Sequence, residues 1–313
     1  MKKEPVDIHL CCPCERKSAL DFGSYEISCK NESCPHHKER PFNYIDGQPI
    51  LVSDILNDTL VDPCNVATKV ARRRFKKRAL SISEKIFSSV SQENALQLLE
   101  LIADGQPKKI LIIGGGEKGA GVDLLEKNSL LTCISCDIYA SENTNFVADA
   151  HYIPVSGDSI DVVWIQAVLE HVLEPSVVVA EIHRVLKLGG ICYAETPFMQ
   201  QVHEAGYDYQ RFTLLGHRYL FRDFELIDHG QTRGAGEALA WSLKSFIWSL
   251  TRSKLLARIL GKFFSIILRQ FDPLMSDRAK FDNSSGVYFI GKKKDVNDRL
   301  RHKDVPGLYG GLQ

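Results

Sequence analysis

The stretch that most constrains this chain runs from Lys108 to Phe198. Ile110, Leu111, Ile112 and Ile113 form a short apolar run rich in β-branched residues that stops at Gly114, Gly115 and Gly116. Such a run, ended by glycines, reads as a buried parallel strand meeting a tight turn. Glycine suits that turn because a missing Cβ lets the backbone reach positive φ and approach a ligand, and a following helix would add unpaired N–H groups. The sequence predicts both. Taken alone, Gly114 to Gly119 also fits a dinucleotide fingerprint, since an acid, Asp137, lies roughly 20 positions on. A nicotinamide cofactor is therefore compatible with the glycines, and the residues that follow must decide.

Asp137 ends a second strand-like run, Leu130 to Cys136, where a carboxylate can accept both hydrogen bonds of a ribose diol. Phe146 to Ala150 reads as a short strand with a second acid, Asp149, near its end. Ile160 to Ile165 is a further strand running into Gln166, Glu170 and His171. A helix from Pro175 to Leu186 is followed by Lys187, Leu188, Gly189 and Gly190, a cation and glycines suited to a helix C-terminus. Ile191 to Glu195 is the next strand.

In that order, the segments IIGGG, CD, ADA, DVVWIQAVLEHV, RVLKLGG and ETPF resemble the class I S-adenosylmethionine-dependent methyltransferases of the type 11 domain, over about 108–293. The resemblance implies an α/β fold: a Rossmann-like, seven-stranded sheet with helices on both faces. It implies that Gly114 and Gly116 line the methionine part of S-adenosylmethionine and that Asp137 holds the ribose hydroxyls. Asp149 and the Ala150 backbone would meet the adenine, and Gln166 would stand at the substrate side. The glycine loop departs from the family pattern by one added residue before Gly119, and Ile112 or Ile113 stands where an acid is frequent.

The chain of 313 residues, with 39 basic and 39 acidic side chains, can bury one large core and shows no strong nucleic-acid signal in its overall charge. MKKEPVDIHLCC lacks an apolar leader segment, and no uncharged run approaches the roughly 18 residues that span a bilayer. A cytoplasmic protein is expected, with peripheral contact at the inner membrane face compatible.

Five of the nine cysteines fall in the first 34 residues. Cys11, Cys12, Cys14, Cys29 and Cys34 sit in metal-like spacing in a module too short to be stable on its own apolar surface. A structural zinc ion on Cys11, Cys14, Cys29 and Cys34 would supply that stability, with Cys12, His36 or His37 as substitutes. A metal-free module of buried cysteines is the alternative. Tyr44 to Leu51 resembles the end of the short zinc-ribbon proteins of the methyltransferase-activator family. Cys133 and Cys136, although a CxxC, lie within a strand and are expected to be core.

The expected divisions are a zinc-ribbon-like module, 1–54; a helical linker, 55–107; a methyltransferase domain, 108–233 and 282–294; an amphipathic helical insertion, 234–281; and a disordered tail, 295–313. The linker carries a basic run from Arg72 to Arg78, either a solvated helix face or a phosphate contact. The insertion carries Lys244, Arg252, Lys254, Arg258, Lys262 and Arg269 and no acid between Trp241 and Phe271. Such a stretch suits a membrane surface, a lid or a homodimer contact.

Phe198 to His217 is dense in His, Tyr, Asp and Arg and leaves the carboxyl end of a strand, where ligands of open α/β sheets bind. His203, then His171, are the candidate bases for an acceptor's proton, with Asp208 beside them. Tyr207, Asp208 and Arg211 could equally hold the loop together. The expected activity is methyl transfer to a small or lipid-linked acceptor such as a sugar or glycan intermediate. The other readings are a non-catalytic adaptor that binds a partner protein and an RNA or tRNA methyltransferase.

Overall fold

The computed structural model describes residues 8–56, 59, 90–294 and 299–313. The basic run Arg72 to Arg78 and most of the expected linker lie outside the described residues. The linker's last part is α1, Val90–Leu101.

The central sheet contains β5 (Lys108–Ile113), β6 (Leu131–Asp137), β7 (Phe146–Val147), β8 (Ile160–Gln166), β9 (Leu186–Pro197), β10 (Phe224–Arg233) and β11 (Gly286–Lys293). Its order is β10-β11-β9-β8-β5-β6-β7, seven strands. β5 pairs in parallel with β6 and β8, and β8 with β9, whereas β11 runs antiparallel between β9 and β10. This is the Rossmann-like methyltransferase sheet, with the antiparallel last strand that separates it from the dinucleotide-binding one.

The unbroken apolar run of β5 follows from burial on both faces. Leu111 and Ile113 enter the core on one face with Val163, Ile165 and α3 (Pro175–Val185). Ile110 and Ile112 enter the other with Val162, Trp164, Tyr193 and the α1 residues Ala95 and Leu98. Each such side chain removed from water contributes about 1.5–3 kcal/mol. Cys136 is buried in β6, as expected for a core residue.

Local differences from the sequence expectations follow from packing. α3 ends at Val185 and the chain enters β9 at once, so the expected glycine cap is instead a left-handed Gly189 (φ 79°) inside the strand. The helix after the glycine turn, α2, spans only Val122–Glu126, behind Gly121 (φ 93°). It has only five residues, and its first, Val122, lines the cavity described below. β7 stops at Val147, and Asp149 instead caps a 3-10 turn, Ala150–Tyr152.

The first module is a four-stranded antiparallel sheet of β1 (Leu20–Phe22), β2 (Glu26–Cys29), β3 (Phe42–Ile45) and β4 (Gln48–Pro49). It docks on the edge of the central sheet. Ile50 bridges Val147 in parallel, and the Leu51 N–H donates to the Val147 carbonyl at 2.8 Å. Gln48 is bonded to Ser141 and Thr144, and Leu10 bridges Val155. An edge strand of two residues thereby gains a second neighbour.

The insertion is helical: α5 (Ala235–Thr251), α6 (Lys254–Leu268), a 3-10 segment (Arg269–Leu274) and α7 (Asp277–Asn283). α5 and α6 pair as a hairpin in which Gly236 and Gly261 admit Leu268 and Lys244 closely. Buried Glu237 accepts a 2.6 Å bond from Ser265 and faces Arg233 and Arg269. The tail, expected to be disordered from 295, carries two 3-10 turns within 299–313. It is bonded to α7 through Tyr309 and Leu312 to Asp282, and through Arg278 to Gly311.

Candidate active site

The carboxyl ends of β5, β6, β8 and β9 open on a cavity of about 750 Å³, lined at one end by Gly114, Asp137 and Asp149 and at the other by His171, His203 and Tyr207. That size suits a cofactor-sized ligand. Its floor is backbone. Gly114 (φ +77°) and Gly115 donate to the Cys136 carbonyl, and the Gly116 N–H donates to Asp137 Oδ2 at 2.8 Å. A Cβ on Gly114 would stand 2.1 Å from Val168 Cγ2, and one on Gly116 2.6 Å from Asp137 Oδ2.

Asp137 also accepts from the Ile138 N–H at 2.7 Å, so both carboxylate oxygens are oriented by backbone amides. Asp149 is buried, and its Oδ1 accepts from the backbone and the Nδ1 of His151 at 2.9 and 2.6 Å. The Glu174 N–H reaches His151 Nε2 at 3.3 Å, which leaves the ring proton on Nδ1 for Asp149. Asp149 Oδ2 is buried with no partner among the described residues. A buried carboxylate oxygen left open costs free energy that a donor from a ligand would recover. Gln166 Nε2 donates to Glu195 at 2.9 Å, and its Oε1 is likewise unpartnered. The residues therefore fit a ligand such as S-adenosylmethionine: two oriented buried acids and a glycine turn line one end of the cavity.

Sequence reasoning missed Glu195. Its Oε2 accepts from Ser91, Tyr193 and Gln166 at 2.8, 2.7 and 2.9 Å, which joins α1, β8 and β9 at the cavity wall. Only the acid at the end of an apolar strand hinted at it.

At the other end, Glu170 is fully buried and burial pushes its carboxyl up to about 8. Neither of its oxygens has a hydrogen bond among the described residues. His171 and His203 stand edge to face at 5.2 Å. Burial lowers the affinity of His171 for a proton. The Phe198 to His217 loop brings His203 there and is anchored by Tyr209 and Gln210, whose N–H groups donate to the Glu170 carbonyl. Arg211 holds the loop: it pairs with both oxygens of Asp208 and donates to the carbonyls of Gln200 and Gln201. Asp208, although burial opposes it, is kept ionised well below the usual carboxylate range by Arg211 and the His203 N–H. It is thus engaged in orienting His203, not turned to the cavity.

In the first module, the thiols that come together are Cys12, Cys14, Cys29 and Cys34, all buried and with ligand atoms within 4.8 Å of one another. This corrects the expected set at one position. Cys11 is buried near Lys17, Glu181 and Arg184, because its backbone is drawn toward the large domain by the bond from Cys11 N–H to the Pro154 carbonyl. His36 and His37 are engaged with Ser53 and the Arg40 and Cys29 carbonyls. Four thiols so placed fit a structural zinc ion.

These features define a Rossmann-like domain with a cofactor-sized cavity at the carboxyl ends of its parallel strands. Residues 111–194 match the family Methyltransf_11, described as a methyltransferase domain. No curated protein matches the chain. Among solved structures, it is similar to the Haemonchus contortus phosphoethanolamine N-methyltransferase 2 in complex with S-adenosyl-L-methionine, at 16% identity and TM-score 0.47, over 72% of this chain and 59% of that one. It is also similar to a chain of the Haloferax volcanii complex between the Trm112 methyltransferase activator and a candidate methyltransferase, at 16% identity and TM-score 0.44, over 68% and 90%. A candidate sarcosine dimethylglycine methyltransferase from Galdieria sulphuraria matches at 15% identity and TM-score 0.44, over 66% and 86%.

Proposed function

We propose that the protein transfers a methyl group from S-adenosylmethionine to a small or lipid-linked acceptor, a sugar or glycan intermediate. The observation that carries the reading is the single cavity joining Asp137 and Asp149 to His171 and His203. The bound cofactor supplies a methyl group on an electrophilic sulfonium, so the chain's work is alignment and proton removal. Asp137, fixed by two amides, accepts from the ribose hydroxyls, and Asp149 Oδ2 accepts from the adenine amino group beside Ala150. Gly114 and Gly116 leave room for the methionine part, and Gln166 faces the acceptor side. His203 takes the acceptor's proton, with His171 second; Asp208 positions His203.

The hairpin supports a lipid-linked acceptor. The ring of Trp241 lies 6.3 Å from that of His203, and Gln201 donates to Ser242 at 3.1 Å, so the insertion borders the acceptor end. It exposes Phe246 (65%), Leu250 (72%) and Phe263 (55%) beside its cations. An apolar, basic, acid-free face suits an anionic lipid surface. No helix among the described residues is long and apolar enough to cross a membrane.

Calorimetric titration with S-adenosylmethionine, S-adenosylhomocysteine and NAD tests the pocket. Micromolar binding of both adenosyl compounds with NAD silent is expected; silence with all three overturns the reading.

A further inference from the structure

Three side-chain acceptors, from Glu170, His171 and His203, converge at the acceptor end. His171 Nε2 stands 3.6 Å from Glu170 Oε1 and His203 Nε2 stands 4.0 Å from the same oxygen. The second nitrogen of each ring is already engaged. His171 Nδ1 is 2.6 Å from the Tyr207 carbonyl, which can only accept, so Nδ1 carries the proton and Nε2 a lone pair. His203 Nδ1 is 3.2 Å from Asp208 Oδ2. Arg211 Nη2 also approaches that nitrogen, at 3.5 Å, but it already donates to Asp208 and to Gln201 at 2.9 and 3.2 Å. The shorter carboxylate contact assigns the His203 proton to Nδ1 and again leaves Nε2 bare. Glu170 itself is fully buried, and both its oxygens lack a hydrogen bond among the described residues.

A proton at the centre would bridge only one pair of these acceptors. A cation meets all three. Imidazoles whose far nitrogen donates to a carbonyl or a carboxylate are the arrangement by which proteins orient metal-binding histidines. The three ligand atoms lie within 4.8 Å of one another. Ligands about 2.1 Å from one ion stand about 3 to 3.5 Å apart, so an inward shift of about 1 Å by His203 seats them. We infer that Glu170, His171 and His203 form a binding site for a divalent transition-metal cation, set at the acceptor end of the cavity and separate from the thiol cluster. Two imidazoles and one carboxylate suit manganese, ferrous iron, cobalt or zinc and leave coordination positions open toward the cavity.

The role of the cation rests on the methyl-transfer reading. With the cation bound, an acceptor oxygen at an open position would become more acidic and would give its proton to water, so the proton-accepting role given above to His203 would pass to the solvent. That oxygen then forms a bond to the methyl carbon as the carbon–sulfur bond breaks. The electron pair of that bond stays on sulfur and cancels its positive charge, releasing S-adenosylhomocysteine.

The test uses the full chain with its thiol cluster saturated with zinc, titrated with Mn2+ and followed by the electron paramagnetic resonance signal of the free ion. Manganese is the probe because thiolate sites do not favour it. One Mn2+ per chain is expected, and His171→Ala and His203→Ala should each weaken it by about 10-fold or more. Affinity for S-adenosylhomocysteine, measured on the same samples, should stay within about 2-fold in His203→Ala, which shows that the variant is folded. The inference is overturned if the free-ion signal is undiminished up to about 1 mM chain, which corresponds to binding weaker than about 4 kcal/mol. It is equally overturned if Mn2+ binds and neither substitution changes the affinity. Failure of S-adenosylhomocysteine to bind the wild-type chain would instead count against the methyl-transfer reading and leave the Mn2+ result standing.

Discussion

Asp137 and His217 show how one side chain can carry a binding function or a pH dependence. Asp137 is oriented by the Gly116 and Ile138 amides before any ligand arrives, and hydrogen bonds to a charged group contribute about 1.5–3 kcal/mol each. Asp137→Ala should therefore weaken S-adenosylhomocysteine binding about 100-fold or more; a titration showing unchanged affinity would remove Asp137 from the ribose site. His217, in α4 (Leu214–Leu220), is fully enclosed near Phe212 and Phe221, with neither ring nitrogen bonded among the described residues. Burial first, and His229 second, push it down to about 3 from 6.5. Between those values the unfolded chain binds a proton that the folded chain refuses, so this residue's contribution is complete above pH 6.5 and is lost as pH falls toward 3. The loss is about 1.4 kcal/mol per pH unit. Thermal melts of wild type and His217→Gln across pH 7 to 5 should show the wild type losing stability more steeply; parallel curves would contradict the assignment.

Among the elements, the first module and β7 depend on each other. Leu51 and Ile50 pair with Val147, two residues before Asp149, so the first module supports the strand that leads to this buried acid of the cavity. If the thiol cluster holds zinc, Cys29→Ser opens the module and frees that edge. The expected result is a melting temperature lower by about 5 °C or more, since about 1 kcal/mol moves a domain of this size by 2–4 °C. A parallel loss of S-adenosylhomocysteine affinity is expected. Calorimetry on the two proteins measures both, and an unaltered melt would show that the module contributes nothing to the edge strand. The Phe198 to His217 loop follows the same logic, because Arg211 bonded to the Gln200 and Gln201 carbonyls, and the Glu170 carbonyl bonded to Tyr209 and Gln210, hold the segment that carries His203.

For the whole molecule, the α5–α6 hairpin is the exposed apolar and basic surface that the proposed lipid contact would use. Its apolar face and cations predict pelleting with anionic vesicles, weakened by salt because exposed charges are screened beyond about 10 Å at 0.1 M. Phe246→Ser combined with Phe263→Ser should abolish pelleting without changing S-adenosylhomocysteine affinity. Equal recovery of both proteins in the pellet would exclude the hairpin as the contact.

The methyltransferase sheet was legible because β5 and β8 are apolar on both faces and end in glycine or polar residues, a pattern set by local periodicity. That Asp137, Asp149 and Gln166 line one cavity was legible for the same reason: a strand end is defined by the chain's own order. The positions that escaped depend on contacts between distant segments. Cys12 displaces Cys11 because the module's docking at Pro154 turns one of two adjacent thiols outward from the cluster. Glu195 acquires its place from Ser91, 104 residues away, and Glu170 its isolation from a loop that folds over it. Of the two sequence readings of Asp208, beside the candidate base or holding the loop with Arg211, its pairing with Arg211 favours the second. The sequence by itself determined the layered fold and the acids and glycines at its parallel strand ends, since the burial pattern is written in successive residues. Only the tertiary structure decided which thiols converge, which histidines meet Glu170 and which face of the hairpin stays open, because burial, proton placement and the convergence of lone pairs arise when remote segments meet.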